Sequence, residues 1–281
     1  MNTGSPSRTA YAVALARAGH QAWDFPKVLD DPFAMRLIGE EGRATLASAR
    51  RRMDGRMSRR LRAFVVARAR FADEEAAQAY AHGVRHCVVL GAGLDTFAYR
   101  NLHPGMTVIE VDHPDTQRWK LAQLRAAGIE PPPALRFLPV DLARQDLAAA
   151  LAAQGVTRDV PAFFSLLGVS MYLPPAALEG MLELAAGWAQ HTRFVFDYVV
   201  PVSHHGLLTR IGYRLFLFRL AQIGEPWHGF FDPASLGARM RQLGFASVKD
   251  LSGPQINAKY FPQRTDGLTV GPAGHLVSVV R

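Results

Sequence analysis

The chain has 281 residues, 49% of them hydrophobic and 20% charged, with one cysteine and a formal net charge of +8. That balance suits one large globular α/β unit spanning 1–281 and excludes a disordered chain. A lone Cys87 excludes a disulfide framework and fits a reducing cytoplasm, and no apolar run approaches the roughly 18 residues of a membrane helix. All but four of the basic residues are arginines, a bias that reads as GC-rich coding rather than adaptation to polyanions.

In chain order, residues before 84 read as a helical N-terminal cap. The stretch 10–19 weakly resembles a signal peptide, but Arg17 interrupts it. Asp31-Pro32 marks a turn or a helix start. Nine arginines crowd residues 50–70, read as a solvated helix face plus one ligand-facing arginine; with Phe64 the only aromatic in the run, base stacking has little to use. From residue 84 apolar runs alternate with helical stretches, the pattern of βαβ units. Strands are expected at 86–93, 106–112, 135–141, 161–168 and 193–199, with two more at 247–253 and 273–281 that could pair antiparallel at one edge. Helices are expected near 114–127, 142–153, 175–190 and 233–243, and a helical insertion fills 202–227. The sum is an α/β, Rossmann-like core of seven mostly parallel strands over 84–281, with helices on both faces.

The first strand runs into Gly91-Ala92-Gly93, where small residues let backbone lie against a ligand. Asp112 follows Gly93 by 19 residues at the tip of the second strand, positioned to accept the ribose hydroxyls of an adenosine cofactor. Thr96 stands where a dinucleotide fingerprint wants Gly or Ala, and no Y-x-x-x-K pair is present. The pattern therefore favours S-adenosylmethionine over NAD, because a cofactor without phosphates needs a cation for its carboxylate instead of an anion nest. Arg68 and Arg70, on a helical stretch, are candidates for that cation. Asp141 and Leu142, at the tip of the third strand, could frame the adenine. No residue is assigned as a catalytic base and no metal site is expected.

VVLGAGLDTFAYR (88–100), with SRTA (7–10), DDPFA (30–34), VARARFADEE (66–75), EVDHPDTQRWK (110–120), PVDL (139–142) and LGVSMYL (167–173), resembles the leucine carboxyl methyltransferase-like family, which includes bacterial polyketide O-methyltransferases. The resemblance implies a class I methyltransferase fold, S-adenosyl-L-methionine as cofactor with S-adenosyl-L-homocysteine as product, and methylation of oxygen, often of carboxylates. It also implies that Arg68 holds the methionine carboxylate, that Gly91, Ala92 and Gly93 line the methionine, that Asp112, with His113 beside it, binds the ribose, and that Asp141 and Leu142 frame the adenine. Leu167 stands where many members carry an acid, which removes a partner for the cofactor ammonium.

The acceptor is expected to be a small molecule or a peptide, with neither nucleic acid nor membrane as partner and the oligomeric state open. Tyr172, Tyr198, His204, Tyr260 and Arg264 are the candidate acceptor-binding residues; the alternatives are satisfied core tyrosines at 172 and 198, a solvated loop tip at His204 and an ion pair of Arg264 with Asp266. Asp197, inside an apolar strand, and His205 are further polar groups near the strand tips. The insertion, rich in phenylalanine and leucine, is expected to be mostly core and to roof the acceptor.

Overall fold

A computed structural model describes residues 8–142, 145–204, 206–222, 224 and 226–281. Four helices precede the sheet: α1 (Arg8–Trp23), α2 (Ala34–Leu37), α3 (Gly39–Met53) and α4 (Arg56–Ala81). The core then alternates as β1 (His86–Leu90), α5 (Phe97–Arg100), β2 (Thr107–Asp112), α6 (Pro114–Ala126), β3 (Leu135–Pro139), α7 (Leu147–Ala152), β4 (Ala162–Leu166), α8 (Pro175–Ala186) and β5 (Arg193–Val199). The insertion helix α9 (Leu207–Gln222) and α10 (Pro233–Gln242) follow, then β6 (Ser247–Leu251), α11 (Gly253–Tyr260) and β7 (Gly274–Val280).

The strands form one sheet in the order β3-β2-β1-β4-β5-β7-β6. The first five run parallel, and β7 lies antiparallel between β5 and β6. Successive residues of β4 and β5 point to opposite faces, so both faces are apolar and both are covered, as a mostly parallel sheet requires. Phe164, Phe194 and Phe196 meet α7, α8 and α10. Cys87, Phe163 and Val195 meet α4, α5 and α11. A third cluster joins α1, α2 and α3 to Leu94 and to Leu124 of α6, fastening the N-terminal cap onto the loop after β1.

The elements arrive in the expected order, with three local differences. β1 stops at Leu90 rather than 93 because Gly91 and Gly93 take φ of +66° and +48°, outside any strand. α7 starts at Leu147, where the Asp146 side chain accepts the N–H groups of Ala148 and Ala149, rather than at 142. α11 between the last two strands was not expected; Ser252 and Gln255 cap it reciprocally and a proline sits in its first turn. Among the described residues no helix is long and apolar enough to cross a membrane.

Candidate functional site

The parallel strands all end at one edge, and the loops beyond them supply the site. After β1 the chain folds back over β2, with the Gly91 and Ala92 N–H groups donating to Val111 O at 2.8 and 3.2 Å. Gly93 N–H donates to Asp112 Oδ2 at 2.5 Å, and His113 N–H to Asp112 Oδ1 at 2.7 Å. Loop and acid are thus one unit. Burial raises the pKa of Asp112, and these two N–H bonds oppose the rise. The His113 ring caps α6, its Nδ1 accepting Asp115 N–H at 3.3 Å.

After β4, Gly168 takes a φ of +72° and lies flat beneath the Arg68 guanidinium, which occupies the space a Cβ would need. Val169, next in the chain, covers Gly91; a Cβ on Gly91 would come within 2.5 Å of its Cγ2. Arg68 reaches this point from mid-α4, and Asp197 of β5 fixes it: Oδ2 lies 3.2 Å from Arg68 Nη1, while Oδ1 accepts the Gly168 N–H. Asp197 is fully buried; burial raises its pKa and Arg68 opposes that. One carboxylate therefore sets both the guanidinium and the turn after β4. Arg70 instead forms an ion pair with Glu74 on the surface.

Asp141 lies just past β3, half-buried, its N–H donating to Gln145 Oε1 at 2.7 Å, and Leu142 packs half-buried against the core. Leu167 is half-buried on the α4 side, beside Ala69, Asp73, Asp95 and Arg100. Gly91, Ala92, Gly93, Asp112, Asp141, Leu142, Leu167 and Arg68 therefore collect along the tips of β1 to β4, as their spacing suggests.

A buried ionic cluster supports the loop after β1 from behind. Arg17 of α1 pairs with Asp31 at 3.1 Å and donates to Leu94 O. Asp31 accepts Thr96 Oγ1–H at 2.6 Å, and Arg100 bonds Thr96 and pairs with Asp73. Lys120 donates to Asp95 O at 2.7 Å and to Glu110 Oε2 at 2.6 Å. Burial pushes the pKa of Glu110 up to about 7 against the pull of Lys120. Thr96, which argued against a dinucleotide, has a structural task here: it ties the loop to the cap. The arginine run also differs from a solvated face, for Arg62 is buried, with both carboxylate oxygens of Asp24 at 2.7 and 2.9 Å.

The candidate acceptor residues divide. Tyr172, in a 3-10 turn after β4, meets Trp227 edge to face at 6.3 Å, and Trp227 meets Phe216 of α9 at 5.4 Å. His204 lies just after β5 with Nε2 3.6 Å from Asp232, and His205 falls outside the described residues. The other three are engaged elsewhere. Tyr198 is fully buried, with its hydroxyl 2.7 Å from Asp250 and 3.1 Å from His275 Nδ1. Tyr260 donates to Glu74 at 2.9 Å. Arg264 pairs with Asp266 and donates to Pro26 O. Among the described residues no cluster could hold a metal ion.

One positive-φ glycine, Gly168, lies against the Arg68 guanidinium, two more, Gly91 and Gly93, form the loop after β1, and carboxylates stand at the end of β2 and just past β3. The sheet order, with its antiparallel β7 inserted beside β5, is that of a class I S-adenosylmethionine-dependent methyltransferase. The chain belongs to the leucine carboxyl methyltransferase family, whose model matches residues 10–186. YktD of Bacillus subtilis, designated a candidate S-adenosyl-L-methionine-dependent methyltransferase, is 28% identical over the full length of both chains. A Mycobacterium marinum protein with the same designation is 32% identical over 72% of each chain. Among solved structures, a candidate methyltransferase from Thermobifida fusca shares the fold, with a TM-score of 0.59 at 15% identity over 100% of this chain and 96% of its own.

Proposed function

We propose that this methyltransferase acts on oxygen, with a carboxylate of a small or peptide-borne metabolite as the foremost acceptor, in the cytoplasm and in bacterial secondary metabolism. The bound cofactor supplies an electrophilic sulfonium methyl. Arg68 holds its carboxylate, Asp112 takes the ribose hydroxyls next to His113, Gly91 to Gly93 pass under the methionine, and Asp141 with Leu142 borders the adenine. Leu167 offers no charge to the ammonium, leaving main-chain carbonyls near Gly91 as its partners.

The observation that carries the cofactor assignment is the Arg68 guanidinium, buried, braced by Asp197 and laid on Gly168 beside the glycine loop. A group so fixed loses little further freedom on binding an anion. For the acceptor, the family's description names a carboxyl group. A carboxylate attacks without losing a proton, so alignment and exclusion of water suffice and no base is needed; this agrees with the tyrosine hydroxyls of 198 and 260 being turned to acids of the fold. The Tyr172, Phe216 and Trp227 contacts tie the insertion to the loop after β4, which supports the insertion as a roof over the acceptor. Trp227 Nε1, buried with no hydrogen-bond partner among the described residues, is a donor for an acceptor oxygen.

Calorimetric titration with S-adenosylhomocysteine tests the cofactor half. Asp112→Ala and Arg68→Ala are each expected to weaken binding by at least about tenfold, or roughly 1.4 kcal/mol. Unaltered affinity in either variant removes that residue from the site. Transfer of labelled methyl to carboxylic acids, with base-labile product, tests the acceptor half; a base-stable product would point to another atom.

A further inference from the structure

The insertion helix α9 is apolar on two opposite faces. Tyr213, Phe216, Leu217 and Leu220 lie half-buried toward the protein. Ile211, Leu215 and Phe218 point the other way and are 61%, 52% and 59% exposed. Their spacing of four and three residues puts them on one stripe. A helix that is apolar all round is ordinarily covered all round, and this one is covered on one side.

Charge identifies the cover. Arg214 and Arg219 flank the outward stripe on opposite sides and form no ion pair among the described residues, while the segment 202–222 contains no Asp or Glu at all. The start of α4 repeats the theme with exposed Met57 and Leu61 beside Arg56. Both elements are anchored at the same edge of the sheet: α9 follows the end of β5, whose Val199 pairs with Gly274, and Arg60 of α4 lies near Gly271, just before β7. Burial, and then repulsion from Arg56, lowers the pKa of Arg60.

The α9 stripe, exposed aliphatic and aromatic groups flanked by cations, is what a bilayer interface with anionic headgroups accepts, the apolar stripe entering the acyl boundary and the guanidinium groups meeting phosphate. A second copy fits poorly, since it would bring unopposed arginines together in a chain that already carries +8. Nucleic acid would satisfy the arginines and leave Ile211, Leu215 and Phe218 in water. We propose that the outward face of α9 docks this enzyme on an anionic lipid surface. This goes beyond the proposed methyl transfer and does not depend on which acceptor is used. It also runs against the sequence-based expectation of no membrane partner, which rested on the lack of a spanning segment.

The test is co-flotation of the full chain with vesicles of mixed phosphatidylglycerol and phosphatidylcholine, and with phosphatidylcholine alone. The wild-type chain is expected to float with the mixed vesicles only and to release as salt rises. Leu215→Asp with Phe218→Asp, and separately Arg214→Gln with Arg219→Gln, should each reduce flotation by about tenfold or more. Thermal midpoint and S-adenosylhomocysteine affinity should remain those of the wild type, which certifies the folds and separates this result from failure of the cofactor site. Absence of wild-type flotation overturns the proposal, as does flotation that the aspartate pair leaves intact. So does a concentration-dependent dimer by sedimentation that the aspartate pair dissociates, since the stripe would then be covered by a second copy.

Discussion

The cofactor side and the acceptor side of this sheet meet at β4, yet they are built from different materials. Around the tips of β1 to β4, charges are buried and paired: Arg68 with Asp197, Arg17 with Asp31, Arg100 with Asp73, Lys120 with Glu110. Beyond β5, α9 turns Tyr213, Phe216, Leu217 and Leu220 inward and bare Ile211, Leu215 and Phe218 outward, with Arg214 and Arg219 forming no ion pair among the described residues. The family match ends at residue 186, between the two sides. A site that must grip the same cofactor at every turnover gains from preorganised charge, whereas a roof over an apolar or amphiphilic acceptor works by shape and can be built without it.

That contrast can be broken most directly at Asp197. Asp197→Ala leaves a buried guanidinium and the Gly168 N–H without their acceptor, and is expected to reduce stability by about 3–5 kcal/mol in denaturant unfolding. A loss comparable to that of a surface mutation would mean that the cofactor side is not held by its charges. Glu110 probes the same side through pH. With its carboxyl raised to about 7 in the fold and near its ordinary value when unfolded, the native state holds the proton longer, so stability is full below the unfolded value and is lost as pH rises through about 7. Glu110→Gln should remove this pH-linked loss, on the order of 3 kcal/mol, between the two values; parallel pH–stability curves for the two proteins would refute it. Gly91→Ala meets both a φ of +66° and the Val169 side chain, and about 2 kcal/mol of stability should go, together with cofactor affinity. The smallest effect belongs to α9: Phe218→Ser, on the open face, should change the unfolding free energy by no more than about 0.5 kcal/mol.

What the sequence revealed follows the same division. Gly91, Gly93 and Asp112 were legible because a tight turn and an acid at the next strand tip are separated by a short, regular βαβ spacing. The pairing of Arg68 with Asp197 was not: the two lie 129 positions apart, and an aspartate inside an apolar strand signals burial without naming its partner. Arg62 and Asp24 were hidden for the same reason, so a run of arginines read as solvated surface turned out to include a core ion pair. At Tyr198 and Arg264 the sequence left a core tyrosine and an Asp266 ion pair open beside an acceptor role, and at Tyr260 it named no partner; side-chain direction and competing acids decide where such hydroxyls and guanidinium groups go. In α9 the abundance of apolar residues suggested core, and abundance alone could not show that Ile211, Leu215 and Phe218 face outward.

The tie between Arg17, Asp31 and Thr96 bears on how small this enzyme can be made. Trimming the chain to its sheet, from residue 84 onward, would strip Thr96 and Arg100 of their Asp31 and Asp73 counterparts and uncover Leu94. The cap is thus the back wall of the loop after β1 rather than a detachable overhang, and a minimal catalytic fragment should be cut from elsewhere.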